Sequence, residues 1–155
     1  LHGYRNIILK AKELVKNAKK KIVISGWRRE VEEIRKELIS AKKRGIENTI
    51  FSFTKMDEKL GKIVSYELSE SDLRKIWTPK IIMIVDNQHT IMGSTKKTED
   101  CKAILTKNTA INEIATNHII LDITLAGRRL GFESDSYVKN IMRDPAENLQ
   151  HLLNV

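Results

Sequence analysis

The fold of this chain is decided by the stretch Lys80-Ile-Ile-Met-Ile-Val-Asp86-Asn-Gln-His-Thr-Ile-Met-Gly93-Ser94. The apolar run before Asp86 predicts a buried strand, and the acidic residue predicts a tight turn. The apolar residues after the turn predict a return strand that ends in Gly93-Ser94. Any buried hairpin can show these features, so the stretch by itself indicates a hairpin and no particular chemistry.

The spacing within this hairpin resembles the active-site motif of the phospholipase D superfamily. That motif reads His-x-Lys, four residues, Asp, six residues, Gly-Ser. Asp86, Gly93 and Ser94 fit it, whereas Pro79 stands at the His position and Ile81 at the Lys position. The superfamily's reaction uses the imidazole as a nucleophile toward a phosphorus ester and the lysine to balance the charge on its oxygens. The resemblance therefore implies a retained frame without the reactive groups.

Lys80 cannot replace the lysine of the motif. It is one residue out of register, so on a strand it points to the opposite face from position 81. We therefore predict that the chain is not an enzyme and that the remaining motif residues are structural. Asp86 is expected to satisfy backbone donors in the hairpin turn, and Gly93 to allow a close approach or a positive φ.

Length and composition indicate one ordinary soluble domain. The chain has 155 residues, 41% of them hydrophobic, and no long uncharged apolar run, so no membrane span is expected. It shows no secretory signal, and its one cysteine, Cys101, suits a reducing cytoplasm. Because the sequence does not begin with Met, we expect a fragment of a longer cytoplasmic protein.

The net charge of +8 raises the alternative of a nucleic-acid binding module. Most of the basic residues belong to predicted helices and are mixed with glutamates. Lys19 to Lys21 and Lys42 to Arg44 stand near predicted helix ends, where positive charge complements the helix dipole. No zinc-finger, basic-zipper or ribonucleoprotein pattern accompanies the charge. Direct nucleic-acid binding by this chain is therefore supported by charge alone.

The hydrophobic periodicity predicts alternating helices and strands. Helices are expected over residues 4–19, about 31–45 and 109–129, and strands over 21–26, 49–53, 62–68, 80–94 as a hairpin, and 102–106. The first two strands should be parallel by the right-handed crossover rule. A further helical pattern follows to residue 155, broken at Pro145. We predict an α/β domain with a mixed sheet and flanking helices over residues 1–130, extended by a helical C-terminal tail over 131–155.

An ordered set of short motifs makes the resemblance more specific. The set comprises Gly3-Tyr4, Ile22-Val-Ile-Ser-Gly-Trp27, Ala41-Lys-Lys-Arg-Gly45, Ile50-Phe-Ser-Phe53, Ile84-Val-Asp86, Gly93-Ser94 and Ala103-Ile-Leu-Thr-Lys-Asn108. In this order it resembles the effector domain of TrmB-like transcriptional regulators, which is similar to a phospholipase D half-domain without catalysis. The resemblance implies effector sensing, a homodimer, and DNA binding through an N-terminal winged helix that this chain does not include.

The sugar-sensing members of that family carry a further C-terminal β domain, whereas this chain ends in a helical pattern. Sugar binding is therefore not carried over. The expected effector is a small polar molecule, with a sugar as one candidate.

Sheet geometry predicts where the effector binds, because ligands of open parallel sheets lie outside the carboxyl ends of the strands. Trp27 offers a stacking face, and the other candidates offer hydrogen-bonding groups. The same residues have structural alternatives, since Trp27 can cover the core and Asn108 can cap the next helix. The predicted ligand-binding residues are Ser25, Trp27, Ser52, Tyr66, Thr106 and Asn108.

His118 and Asp122 stand four residues apart on the predicted long helix and could form half of a metal site. No second pair has ligand spacing, although His89 is a further candidate. We expect a hydrogen-bonded pair facing a partner or a core edge, and we assign no metal and no cofactor. A phospholipase D-type phosphodiesterase or nuclease remains the alternative function, with a basic nucleic-acid binding module as another.

Overall fold

The computed structural model describes residues 1–98 and 100–142. Six strands form one sheet: β1 (Lys21–Ser25), β2 (Glu47–Thr54), β3 (Lys62–Leu68), β4 (Lys80–Val85), β5 (His89–Ser94) and β6 (Ala103–Thr106). The helices are α1 (Tyr4–Lys16), α2 (Arg28–Glu33), α3 (Arg35–Lys43), α4 (Glu70–Leu73), α5 (Thr109–Leu130) and α6 (Asp135–Ile141), with a short 3-10 turn at Glu58–Leu60.

The sheet is mixed, in the order β3-β2-β1-β4-β5-β6. Strands β1, β2 and β3 are parallel, while β4, β5 and β6 each run antiparallel to the preceding strand in that order. The carboxyl ends of β1, β2, β3 and β5 therefore meet the amino ends of β4 and β6 at one edge, which we call the exit edge. The predicted α/β fold with a mixed sheet and flanking helices is confirmed.

Helices cover both faces of the sheet, as the alternation of side chains along each strand requires. On one face, Ile22 and Ile24 belong to a core shared with α1, α2 and α3. On the other face, Val23 belongs to a core shared with α5 and α6. The sheet is thus the middle layer between these two groups of helices.

The hairpin of β4 and β5 turns through Asp86 and Asn87, whose φ angles are 54° and 53°. The amide of Gln88 donates to the carbonyl of Val85 at 3.0 Å, which closes a type I′ turn of the kind that matches strand twist. The Asp86 carboxylate accepts the backbone N–H groups of residues 19, 20 and 21 at 2.9, 2.7 and 3.0 Å. The donors thus lie in the connection between α1 and β1, not in the hairpin turn where we expected them.

Several element boundaries differ from the prediction. Helix α1 ends at Lys16 rather than residue 19, because the following amides bond to Asp86. The single helix expected over about 31–45 is wrong: the chain forms α2 and α3, which meet at Ile34. The Ile34 amide bonds to the carbonyl of Val31, three residues back, which tightens the turn. Strand β2 also begins earlier, at Glu47.

The helix predicted after the β6 strand is confirmed as α5, whose Asn108 side chain accepts the Ile111 amide as an N-cap. Gly131 ends α5 in the left-handed conformation, with φ 76°. In the predicted tail, α6 covers Asp135–Ile141 and packs on the α5 core through Val138. The expected break at Pro145 and the rest of the tail lie outside the described residues.

Candidate functional site

A cavity of about 680 Å³ opens at the exit edge, between the strand ends and the middle of α5. Its walls come from the end of β1, the end of β2, the segment that leads into β4, the end of β5, and one face of α5. The lining residues include Ser25, Gly26, Trp27, Ser52, Phe53, Ile76, Trp77, Pro79, Lys80, Ile81, Ile82, Met92, Gly93, Ser94, Ile114, His118 and Asp122.

Aromatic rings form much of the cavity wall. Trp27 is buried at the end of β1, with 3% of its surface exposed. The Trp77 ring packs edge-on against Phe53, with centroids 4.7 Å apart. Behind Phe53, the ring of Tyr66 stacks at 5.2 Å with an interplanar angle of 11°. These contacts fix the orientation of the wall, since aromatic pairs at such distances prefer edge-on and offset geometries.

Charged side chains are gathered on the wall nearest α5. His118 Nε2 and Asp122 Oδ2 lie 3.2 Å apart, one turn apart on the helix. Burial raises the pKa of the Asp122 carboxyl, and the nearby His118 and Lys80 oppose that rise. The Lys80 ammonium lies 5.3 Å from the centroid of the Trp77 ring. The cavity therefore has one polar wall, and the predicted pairing of His118 with Asp122 is seen in the structure.

The hydroxyl of Ser52 is engaged within the protein. It lies 2.9 Å from the hydroxyl of Thr54 and accepts the Thr54 amide at 3.0 Å. The Thr54 hydroxyl in turn accepts the amide of Arg28 at 2.9 Å, which ties the end of β2 to the start of α2. Within residues 1–98 and 100–142, the hydroxyl of Ser25 has no such partner. Ser25 is thus better placed than Ser52 to bond a ligand.

Four of the five motif positions border this cavity. Pro79, Ile81, Gly93 and Ser94 lie at the exit edge, whereas Asp86 lies in the hairpin turn at the opposite edge. Ile81 is fully buried and belongs to the core on the face of α1 to α3. Gly93 pairs with Ile81 on one side and Ala103 on the other. A proline and a buried isoleucine thus occupy the two reactive positions of the motif.

Three predicted ligand residues line the cavity, namely Ser25, Trp27 and Ser52. Tyr66 does not, because Phe53 stands between its ring and the cavity. Thr106 and Asn108 lie at the opposite edge of the sheet, because β6 runs antiparallel to β5 and not parallel to β1.

Sequence reasoning missed Phe53, Trp77 and Lys80 as cavity residues. The strand that carries Lys80 runs antiparallel to β1, so its amino end meets the carboxyl end of β1. Once that direction is known, residues 76–80 must lie at the exit edge. Lys80 points to the opposite face of the sheet from Ile81, as predicted, and that face is the face of the cavity.

Within the described part of the chain, no group of three or more His, Cys, Asp or Glu side chains could hold a metal ion. Cys101 is buried just before β6, and its thiol donates to the carbonyl of Ser94 at 3.1 Å. None of the described helices is both long and apolar enough to cross a membrane.

Residues 1–117 match the family model described as transcriptional regulator TrmB, EBD N-terminal subdomain. The chain belongs to the TrmB family. The match includes all six strands and the amino-terminal part of α5, so it spans the cavity except for His118 and Asp122. A comparison with curated proteins finds no match.

Solved structures place this TrmB-family chain among phospholipase D-like folds. TrmBL2, an archaeal chromatin protein described as showing a novel mode of DNA binding, superposes with a TM-score of 0.58 at 12% identity, over 76% of this chain and 48% of its own. NucT from Helicobacter pylori gives 0.54 at 14% identity, over 78% and 89%. The phospholipase D family member Nuc from Salmonella typhimurium gives 0.50 at 19% identity, over 74% and 82%. The chain thus matches about half the length of TrmBL2.

Proposed function

We propose that this chain is the non-catalytic effector-sensing and dimerisation domain of a TrmB-like transcriptional regulator. The observation that carries the proposal is the cavity at the exit edge, where Pro79 and Ile81 replace the reactive pair and aromatic rings line the walls. A concave, largely apolar site with a few polar groups is the usual form of a small-molecule pocket. The cavity borders the strands that carry the motif positions, although the Ile81 side chain belongs to the core on the other face of the sheet.

Two substituted positions support the proposed absence of catalysis. Pro79 has no nucleophilic side chain, and the Ile81 side chain is both uncharged and fully buried. One observation favours the alternative of a phosphodiesterase, because His118 and Lys80 also border the cavity. The histidine, however, comes from α5 and pairs with Asp122, so it does not occupy the motif position.

An assay with bis(p-nitrophenyl) phosphate separates the two functions. We expect no turnover above that of a mock purification, with or without divalent metal ions. Turnover that disappears in the His118→Ala variant would establish the phosphodiesterase and overturn the non-catalytic proposal. Turnover that the variant retains would come from a contaminant.

We propose that a second copy of the chain covers the exposed apolar side of α5, which includes the cavity residues Ile114 and His118. Ile114, Leu121 and Leu125 are 67%, 59% and 43% exposed, with His118 between the first two. Positions 114, 118, 121 and 125 repeat at spacings of four, three and four residues, which is the spacing of a helix-pairing seam. In an antiparallel pair about a two-fold axis, residue 114 faces 125 and residue 118 faces 121, so the seam is complementary to itself.

The remaining parts of the regulator follow from the family. We propose that residues 1–130 form the effector and dimerisation domain and that 131–155 extend it, with a cytoplasmic location. DNA would be bound by a winged helix N-terminal to this domain in the full protein, and a dimer matches a two-fold operator. The effector would be a small molecule, with the predicted polar compounds, sugars included, among the candidates.

Native mass spectrometry tests effector sensing directly. The purified chain is expected to appear as a dimer that carries a small-molecule adduct, and the adduct should be lost on denaturation. Extraction and accurate mass would then identify the adduct. A chain that carries no adduct, and whose melting temperature no compound in a broad metabolite panel raises, would contradict the sensing function.

A further inference from the structure

We infer that the pocket at the exit edge selects a ligand with a flat apolar body and an anionic group, and that it disfavours sugars. The inference rests on the proposed sensing function and names the chemical class of its effector. It depends on two features of the walls, which are the composition of the apolar surface and the position of a single cation.

The apolar surface is broad and contains flat faces. Trp27, Phe53 and Trp77 contribute rings, and Ile82, Met92 and Ile114 contribute aliphatic surface. Burying aromatic and aliphatic surface is the main favourable contribution to binding at such a wall. The volume of about 680 Å³ lies within the range typical of pockets for drug-sized ligands. A ligand with two fused or linked rings therefore fits the walls better than a single small polar group.

A sugar would find few hydrogen-bonding partners on these walls. The Ser52 hydroxyl is engaged with Thr54, and the His118 side chain is engaged with Asp122. Of the lining hydroxyls, those of Ser25 and Thr78 are free of an internal bond within the described ranges. Ligand hydroxyls that lose water without gaining a partner reduce the affinity, so a polyol is a poor match.

Lys80 supplies the charge for an anionic group. It lies at the start of β4 on the α5 face of the sheet, and its ammonium rests above the Trp77 ring at 5.3 Å. Among the residues that the structure describes, Lys80 forms no ion pair, since the nearby Asp122 carboxylate is paired with His118. A carboxylate or sulfonate carried by the ligand could therefore bond to this ammonium while its rings contact the apolar wall.

Two fluorescent probes that differ by one charged group test the inference. 8-Anilinonaphthalene-1-sulfonate carries the proposed rings and anion, and N-phenyl-1-naphthylamine carries the same rings without the anion. Both are expected to bind the wild-type chain saturably. Trp77→Ala should weaken both probes, whereas Lys80→Gln should weaken the sulfonate about tenfold, as expected for one charge-assisted hydrogen bond, and the neutral probe less than about twofold.

Lys62→Gln is the matched control for charge. Lys62 is exposed at the start of β3, at the edge opposite the pocket, so its replacement should change neither affinity. Lys80 is exposed and Trp77 is 42% exposed, so both variants are expected to fold. Thermal melts of each variant would verify this.

Each outcome bears on one part of the inference. If Lys80→Gln weakened the binding of both probes equally, or of neither, the proposal of an anionic group on the ligand would be overturned. Failure of the probes to bind, or binding that Trp77→Ala leaves unchanged, would overturn the apolar body. Stabilisation of the chain by maltose or trehalose in place of the probes would overturn the ligand class and leave the sensing function intact. The sensing function itself fails only if the adduct and metabolite-panel experiment above is negative.

Discussion

Gly93 lies where strands β5 and β6 approach each other closely. A Cβ atom at this residue would lie 2.4 Å from both the Ala103 Cα and the Lys102 carbonyl oxygen. Both are backbone atoms, so no side-chain movement could relieve the overlap. Its φ angle is not positive, so the close approach, and not backbone freedom, explains the glycine. The glycine of the motif is thus required by packing in a chain without the reactive pair.

We predict that Gly93→Ala lowers the free energy of unfolding by about 1–3 kcal/mol, the usual cost of forcing extra atoms into a packed site. Gly26→Ala is the matched control, because its Cβ would meet the nearest atoms of Ile24 and Ile81 at 3.6 and 3.7 Å, ordinary contact distances. The control should change stability by less than about 0.5 kcal/mol. Urea denaturation measures both, and equal losses would refute the packing explanation.

Glu30 is a second residue whose surroundings determine its behaviour. It is fully buried in α2, where one carboxylate oxygen accepts the Nε–H of Arg29 and the other has no partner in the described structure. Burial raises the pKa of Glu30, and the Arg29 guanidinium opposes the rise. Burial also raises the pKa of the nearby Tyr4 hydroxyl to about 12, and the Glu30 charge adds to that effect. A proton on Glu30 is therefore held more tightly in the folded chain than in the unfolded one.

This difference gives a pH dependence with a definite sign. The stabilising contribution of protonated Glu30 is complete below its ordinary pKa of 4.5 and is lost as the pH rises through the raised folded value. Glu30→Gln stays neutral at every pH. We predict that the melting temperature of the wild type minus that of Glu30→Gln falls as the pH rises above the ordinary pKa of 4.5. A difference that stays constant or increases as the pH rises would contradict the raised pKa.

At the scale of elements, Asp86 joins the β4–β5 hairpin to the connection between α1 and β1. Its carboxylate accepts three successive backbone amides, and its own amide donates to the carbonyl of Lys21 at 2.9 Å. These bonds end α1 and align the start of β1 with the end of β4. The acidic residue of the motif therefore has a role in the fold that does not depend on catalysis.

Asp86→Ala should lower the free energy of unfolding by about 2 kcal/mol or more, since amides lose a charged acceptor and alanine resists the positive φ. Asp86→Asn should lower the free energy of unfolding by less, because asparagine keeps one acceptor oxygen and tolerates that backbone conformation. Thermal or urea unfolding of the wild type and the two variants would rank their stabilities. A neutral Asp86→Ala variant would show that the three hydrogen bonds contribute nothing measurable.

Element positions were largely predictable from the sequence, as were the parallel pairing of β1 with β2 and the antiparallel hairpin of β4 and β5. The directions of β4 and β6 relative to β1 were not. Periodicity placed the β3 strand and the α5 helix correctly because each has a continuous apolar pattern. The break between α2 and α3 at Ile34 could not be predicted, because the apolar spacing continues across it. The cavity was only half predicted, because the sequence does not give the direction of β6 or of β4 relative to β1, and those directions separate Thr106 from Ser25 and bring Lys80 near it.

At the scale of the whole molecule, the cavity and the proposed dimer seam share one surface. Ile76 and Trp77, at the cavity mouth, are 71% and 42% exposed, and Ile114 of α5 lines the same cavity. From Ile114 the exposed apolar surface continues along α5 to Leu121 and Leu125. Exposed apolar surface of this extent marks an interaction site in a folded domain. A ligand in the cavity would therefore lie beside the second copy, which links sensing to assembly.

Single lysine substitutions distinguish this seam from other exposed apolar positions. Leu121→Lys places an ammonium in the apolar seam, where burial without a partner is unfavourable, and should dissociate the dimer. Because Leu121 is 59% exposed in the single chain, the stability of the monomer should not fall. Leu9→Lys is the matched control, because Leu9 is 53% exposed on α1, away from the seam. The control chain should remain a dimer.

Sedimentation equilibrium at micromolar concentration, on the wild-type chain and these two variants, tests the sensor and dimerisation domain most directly. The expected result is twice the chain mass for the wild type and Leu9→Lys, and the single-chain mass for Leu121→Lys. A wild-type chain that sediments as a monomer would contradict the proposed domain, and a dimer that survives Leu121→Lys would contradict its assembly through α5.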